Sequence, residues 1–352
     1  MGLFSFGKPL VGIDIGAHSV KVAQLKETGK IYQLVAFGES PIHPEAVVDG
    51  AIMDAGAIVN AIQNILAEQS IKGSQVATAV SGSSVIVKKI PVPEMDEEEL
   101  AESIQWEAEQ YIPFDIEEVN IAFQTINRPE VSGKAEMDVL LVAAKKEKLS
   151  ELQNIIAQVG LDTAIVEVDA FSLQNCFEVN YETVEGTIAL IDIGAQSMSI
   201  NIIENGISSL IRYIQIGGNN YTDAIQRDFN LKYEDADLVK KGKQLPNVNP
   251  KAVSNILRQI SSDLVSDIQR SFDFYRSSSS NEKIDKIYVS GGCAKIKGLV
   301  PFMSNKLQVP VEMMNPFKNI EVAERVFNIE ELQDKAPQAA IATGLALRKV
   351  GD

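Results

Sequence analysis

Asp14 closes an apolar run in VGIDIGAHSVKV, and Asp192 holds the same place in ALIDIGAQSMSINII, 192 − 14 = 178 residues later. An acid, then Ile-Gly-Ala, a polar residue and Ser, then a second apolar run, is the pattern of a strand, a tight turn and a returning strand. Doubled at half the length of a 352-residue chain, it implies two similar domains with a pair of turns between them. Such a pair suits a triphosphate carrying magnesium. Magnesium keeps several of its waters, so Asp14 and Asp192 are candidate ligands acting through water. Gly16 lets the backbone approach, Ser19 and Val20 offer turn amides, and Lys21 can meet a phosphate as a point charge. The second turn supplies Gly194, Ala195, Gln196 and Ser197, and Ser199 stands where a matching lysine would be. Either motif alone is explained as well by an Asp that caps a strand-to-turn corner; the duplication favours the phosphate reading.

Downstream features extend it. Gly217–Gly218 opens a helix and Gly291–Gly292 follows a strand, and each pair would let a flat base or sugar lie against the backbone. Asp237 and Lys240 share a helical face, where an acid can accept from ribose hydroxyls and a lysine stem can cover a base; a solvated charge pair is the competing reading. Asp169, in the VEVDAF crossover, is the candidate beside the terminal phosphate, and a helix cap is the alternative. His18 reads as a solvent-facing turn residue, since a catalytic His needs an orienting partner.

These residues need elements to carry them. KPLVGIDIG, SVKVAQLKE and KIYQLVAFGESPI read as a three-stranded meander. Gly56–Gln69 follows as a helix with Ile58, Ile62, Ile65 and Leu66 on one face, and QVATAVSG as a buried strand. From about residue 84 the texture changes: a strand runs through a Pro-x-Pro corner into an acidic helix capped by Asp96 and ended by Pro113, with Leu100, Ile104, Ala108 and Tyr111 inward. Trp106 falls on the opposite face, set to pack on a neighbouring subdomain or to meet a partner. Two more strands, joined by the Arg128–Lys134 turn, and a helix closed by Gly160 complete an inserted subdomain of residues 84 to 164. The second half repeats strands and helices, with a long helix from about Pro250 to Tyr275, a solvated SSSSNEK loop and a closing helix that carries Gly344.

A charge of −16 and a pI near 4.7 argue against general nucleic-acid binding, which needs basic surfaces. Cys176 and Cys293 are too few for a disulfide framework or a zinc site and suit a reducing compartment. No run of about 18 apolar residues predicts a membrane span. The apolar start, MGLFSFGKPL, is too short for a signal peptide and reads as a loosely docked terminus.

The set DIG…SVK, DIG…S, GG…AD..K and SGG…GL resembles the actin, Hsp70 and sugar-kinase ATPase superfamily over nearly the whole chain. PVPEMDEEELAESIQWEAEQYIPFDIEEV is similar to the type IV pilus assembly proteins of the PilM family, relatives of the cell-division protein FtsA. The resemblance implies an actin-like α/β fold with two lobes, a duplicated core and an FtsA-type 1C subdomain. Its divisions would be 1A at 1–83, 1C at 84–164, a return to 1A at 165–187, 2A at 188–222, 2B at 223–282 and the rest of 2A at 283–352. It implies ATP and magnesium between the halves, with Asp14 and Asp192 on the metal side. Gly16, Ser19, Val20, Lys21, Gly194 and Ser197 fall to the phosphates, and Gly217, Gly218, Asp237, Lys240, Gly291 and Gly292 to the adenosine. His18 and Asp237 depart from the family's usual small residue and Glu.

The resemblance further implies a cytoplasmic scaffold at the inner face of the inner membrane, in a pilus system of the kind that drives twitching motility. Its partners would be the N-terminal tail of a PilN-like membrane protein, held in a 1A/1C groove, and other pilus platform proteins; slow ATP hydrolysis and homo-oligomers are compatible with it. The rival readings are an FtsA- or actin-like filament ATPase and a small-molecule kinase.

Overall fold

The computed structural model describes residues 10–29, 31–127, 136–181, 186–278 and 283–351. The amino-terminal stretch 1–9, the Arg128–Lys134 turn and most of the serine-rich loop lie outside the described residues.

The chain opens with the expected meander, β1 (Val11–Ile15), β2 (Ser19–Thr28) and β3 (Ile31–Pro41). A short hairpin follows, β4 (Val47–Val48) and β5 (Ala51–Ile52), and then α1 (Ala55–Glu68), capped by the Asp54 carboxylate. Ile58, Ala61, Ile62 and Ile65 bury the α1 face against the sheet, which β6 (Gln75–Val80) extends in parallel with β1.

Next come β7 (Val85–Pro93), α2 (Glu97–Glu109), β8 (Val119–Asn127) and β9 (Glu136–Lys145). The three strands form a sheet of their own in the order β7-β9-β8. Asp96 and Glu99 cap α2 reciprocally, a device that stabilises a helix start by about 1 kcal/mol. Leu100, Ile104 and Ala108 seat α2 on Ile90, Met137, Val139 and Leu141, which makes a separate small core. Pro91 and Pro93 do not form a corner. They pair with Asp138 and Glu136 inside β7, which is an outer strand, where proline's missing N–H is tolerated.

The chain then re-enters the first sheet earlier than the sequence suggests. In α3 (Lys146–Val159), closed by Gly160 in the left-handed region, Ile155 and Ile156 join the core beneath β1, and β10 (Asp162–Val168) pairs with β6 from Asp162 onward. The self-contained part of the insertion is therefore β7 to β9. Helix α4 (Asp169–Asn180) crosses to the second sheet.

That sheet repeats the first. β11 (Thr187–Ile193), β12 (Met198–Glu204) and β13 (Ile207–Ile214) form a second meander. Helices α5 (Gly218–Phe229), α6 (Tyr233–Lys240) and α7 (Pro250–Ser278) come next. β14 (Lys286–Ser290) then adds in parallel to β11, followed by α8 (Leu299–Leu307) and β15 (Val311–Met313). Leu264, Ile268 and Phe272 of α7 are fully buried under this sheet. The two orders, β10-β6-β1-β2-β3 and β15-β14-β11-β12-β13, match strand for strand.

The last segment leaves the second lobe. β16 (Ile320–Glu321) pairs with β3, and α9 (Ile329–Lys335), the turn Ala336–Ala339 and α10 (Ala340–Ala346) bury Leu332, Ala339 and Ala342 against Leu25 and Phe37. Residues beyond about 320 thus pack on the first sheet, in contrast to the expected 283–352 unit. Helices α4 and α10 cross between the lobes at Gly344, where a Cβ would lie 1.7 Å from the Ser172 carbonyl oxygen.

Candidate functional site

The two tight turns occupy matching places. Gly16 N donates to Ser19 O (3.2 Å) and Gly194 N to Ser197 O (2.9 Å), so each chain reversal is closed by the same backbone bond. Pairing registers carry the match outward. Across β1, β2 and β3 the row is Asp14, Lys21, Glu39; across β11, β12 and β13 it is Asp192, Ser199, Tyr213. Each third member is brought into line by a one-residue bulge, Val35 in β3 and Ser209 in β13, and the register steps opposite them, after Gln24 and after Ile202, are again 178 residues apart (202 − 24). Both rows face one cleft of about 920 Å³ between the lobes.

Around Lys21 the contacts are specific. Its Nζ lies 3.5 Å from Asp14 Oδ2, both side chains being largely buried. Glu39 Oε1 accepts from Ser19 Oγ (2.7 Å) and Gln338 Nε2 (3.0 Å), and Gln338 Oε1 accepts from Lys295 Nζ (3.3 Å). In the second row Ser290 Oγ donates to Asp192 Oδ1 (2.8 Å) and the Tyr213 hydroxyl to Asp169 Oδ1, which also accepts from Ala170 N (2.7 Å). Asp169 is the first residue of α4 and lines the cleft; it does not cap the helix, whose N-cap position is Val168 with no side-chain cap. Gln196 Nε2 reaches across the lobes to Val47 O (2.6 Å).

Burial sets the electrostatics. It pushes the Asp14 carboxyl above the ordinary range against the pull of Lys21. It drives Asp192 up to about 6, opposed by the Ser290 hydrogen bond and reinforced by the charge of Asp14. Asp169 rises to about 7, again chiefly from burial, with the Tyr213 hydrogen bond opposing and Asp192 adding. Three dehydrated carboxyls on the walls of one cleft are poorly solvated as anions, which is an invitation to a cation. Among the described residues no group of three or more metal-binding side chains is close enough to hold an ion directly. The cleft is also lined by eight lysines against seven carboxylates in a chain with 32 basic and 48 acidic residues, so its local balance suits an anionic ligand.

Asp14, Gly16, Ser19, Lys21, Asp192, Gly194, Ala195, Gln196 and Ser197 all line the cleft, as do Gly218, Asp237, Lys240, Gly291, Gly292 and Asp169. Val20 does not: its side chain is fully buried in the first core. Gly217 is also away from the lining, and its reason is packing, since a Cβ there would meet the Gly194 and Ala195 carbonyl oxygens at 2.7 Å. Gly291 combines both: it lines the cleft, but its positive φ of 85° and a Cβ approach of 2.4 Å to Ile193 O already require glycine. Gly218 and Gly292 are the members of each pair with room beside them, nothing lying nearer than 3.5 Å.

Asp237 is gripped by Lys240 and Lys241, each at 2.6 Å. Burial raises its pKa, but those hydrogen bonds outweigh burial and hold it below the usual carboxylate range. Lys240 also donates to Thr222 Oγ1 (2.8 Å) and Gly218 O (3.3 Å), tying α6 to the start of α5. His18 is not solvent-facing; it is half-buried in the cleft, and dehydration together with Lys241, Lys240 and Lys21 lowers its pKa against the pull of Asp237. Glu39, Tyr213, Ser290, Gln338 and Lys295 escaped the sequence reading.

A family model described as type IV pilus assembly protein PilM matches residues 12–350. Among solved structures, a PilM-PilN type IV pilus biogenesis complex aligns with a TM-score of 0.87 at 29% identity, covering 98% of this chain and 99% of that one. MreB 5 of Spiroplasma citri bound to AMPPNP aligns at 0.53 with 14% identity over 96% and 94% of the two chains, a likeness of fold alone. Cell division protein FtsA of Bacillus subtilis (strain 168) is 23% identical over 253 residues, 66% of this chain and 57% of that protein. The match thus spans little more than half of that relative. The fold is that of the actin-like ATPases, which in general bind nucleotide and magnesium.

Proposed function

Since the chain belongs to the type IV pilus assembly protein PilM family, we propose that it is a nucleotide-dependent scaffold of the pilus assembly platform. The single observation that carries the nucleotide half of this reading is the doubled row, Asp14-Lys21-Glu39 facing Asp192-Ser199-Tyr213 across the cleft. Lys21 neutralises phosphate charge, and the two turns offer their backbone from opposite sides. Asp14 and Asp192 hold magnesium through its waters; when bound, the metal shields phosphate oxygens and orients the chain of phosphates. Gly218, Gly292, Asp237 and Lys240 border the adenosine. Asp169, with its carboxyl pushed to about 7, stands toward the terminal phosphate, in the range where a carboxylate can accept a proton at neutral pH.

The partner half is supported by likeness to a PilM-PilN complex and by the inserted sheet. One face of that sheet is covered by α2; on the other, Val87 and Val142 pack toward the first lobe and β13, and half-buried Leu140 beside them is the apolar anchor on which an extended tail can order. We assign the amino-terminal tail of a PilN-like protein to the groove between this face and the first lobe, which makes β7 to β9 with α2 the 1C subdomain. Among the described residues no helix is long and apolar enough to cross a membrane. Attachment at the cytoplasmic face of the inner membrane then comes through that tail, together with other platform proteins.

Two measurements test the reading. An immobilised PilN-like tail peptide should retain the protein, and failure to retain it removes the pilus-scaffold assignment. Calorimetric titration with magnesium-ATP should show Lys21→Ala binding about tenfold or more weaker, the value of a lost charge-assisted hydrogen bond. Equal affinity would move the phosphates away from the paired turns.

A further inference from the structure

Tyr213 joins two regions that the sequence keeps far apart. Its hydroxyl enters the cleft and donates to Asp169, the first residue of the helix that crosses between the lobes. Its ring, with Ile211, packs on a cluster that includes Val85 and Ala144 of the inserted subdomain, with Val87 and Val142 beside it. β13 is the outer strand of the second sheet and runs alongside β7. A single rigid side chain thus has its polar end in the cleft and its apolar body against the sheet whose central strand, β9, carries Leu140 and Val142.

The contact is asymmetric between the lobes. Glu39, the member of the first row that matches Tyr213, hydrogen-bonds to Ser19 of its own sheet and to Gln338. Among the described residues Tyr213 has no such partner on its own sheet and bonds to Asp169, at the start of the helix that joins the two lobes, whereas Glu39 reaches Gln338 of the carboxy-terminal segment. The duplicated position has been turned into a link.

We propose that Tyr213 is a positioning residue that transmits the state of the nucleotide cleft to the inserted partner-binding subdomain, by holding Asp169 through its hydroxyl and β7 through its ring. The proposal rests on the nucleotide-scaffold reading and adds the route of communication. Closure of the lobes around a ligand keeps the hydroxyl on Asp169 and β13 pressed on β7; opening breaks the first contact and loosens the second. Coupling of this kind is a free energy shared by two sites through one element with two arrangements.

Tyr213→Phe is the direct test, because the ring and its packing remain and only the donor is lost. Backbone hydrogen exchange over residues 85–93 is measured with and without magnesium-ATP, alongside calorimetry for nucleotide affinity. In the wild type, nucleotide should slow exchange in this strand by about fivefold or more, the lower end of ordinary coupling. In Tyr213→Phe, compared at a nucleotide concentration that calorimetry shows to saturate it, that slowing should vanish. A merely structural tyrosine would raise exchange equally with and without nucleotide and leave the ratio intact, which would overturn the proposal. Nucleotide that binds the wild type without changing the exchange of β7 overturns the proposal and leaves the nucleotide site standing. A wild type that binds no nucleotide overturns both. Asp169→Asn, whose side-chain oxygen still accepts from the hydroxyl, should retain the slowing when saturated with nucleotide; its loss there contradicts the assigned role.

Discussion

Gly344→Ala probes the crossing of α4 and α10, on which the relation of the two lobes depends. The added Cβ would stand 1.7 Å from Ser172 O and 2.5 Å from Ser172 C. Carbon and carbonyl oxygen approach to only about 3.3 Å even in favourable C–H···O contacts, so the helices must part by roughly 1.5 Å. Ser172 cannot yield by a change of rotamer, because the obstacle is backbone. Retreat is blocked on the other side as well: Gly12 of β1 faces the same helix so closely that a Cβ there would lie 2.2 Å from Ala342 O. Overpacking a core by one carbon costs about 1–3 kcal/mol, and a site clamped between two backbones belongs at or above the upper end. Alanine returns at most about 1 kcal/mol through its better helix propensity. The net loss is then about 2 kcal/mol or more, a large part of an ordinary stability of about 5–15 kcal/mol. The assay is urea denaturation, with Gly206→Ala as control. Gly206 has a φ of 84° but nothing within 4 Å, so its replacement costs only the strain of the left-handed backbone, about 1 kcal/mol. Parental stability in Gly344→Ala, or a smaller loss than in the control, would refute the close crossing.

Asp169 and Asp192 have folded pKa values of about 7 and about 6, above the 3.8 of an exposed Asp, so the native state binds more protons than the unfolded chain between those limits. Stability should therefore fall as pH rises from about 4 to 7. Asp169→Asn should stabilise the protein at pH 8 by on the order of 2–4 kcal/mol and much less at pH 5, and denaturation curves with equal shifts at both values would contradict this. Magnesium-nucleotide binding should release roughly half a proton at pH 6 and almost none at pH 8, since a cation favours the ionised form of Asp192; calorimetry in buffers of different ionisation enthalpy measures it. Trp106 is 75% exposed on the solvent side of α2, away from the proposed groove, so its fluorescence should stay unchanged when the tail peptide binds. A blue shift would place the peptide on α2.

Much of this was legible because local rules agreed with the fold. The Asp-Ile-Gly turns, the Asp96 cap, the Gly160 stop and the α7 stripe each follow from a few neighbouring residues. The 7-residue spacing from Asp14 to Lys21 and from Asp192 to Ser199 is a cross-strand pair in both lobes. What escaped depends on register. Counted from the β2–β3 turn, where Thr28 pairs with Ile31, Lys21 would face Gly38; the bulge shifts it to Glu39. The same slip brings Tyr213, and not Arg212, opposite Ser199. Bulges re-aim side chains beside functional sites, and an alternating pattern of apolar residues does not reveal them. By spacing Trp106 could pack on a neighbouring subdomain or meet a partner; at 75% exposure no neighbouring subdomain among the described residues covers it. The return of α3 and of the last segment to the first sheet is likewise a matter of pairing between distant strands.

If the cleft governs the partner groove, the affinity of a PilN-like tail peptide for the wild-type protein must differ with and without magnesium-ATP. Binding should be tighter with nucleotide by about 5- to 150-fold, the usual span of a coupling free energy. The same affinity in both conditions would contradict that coupling.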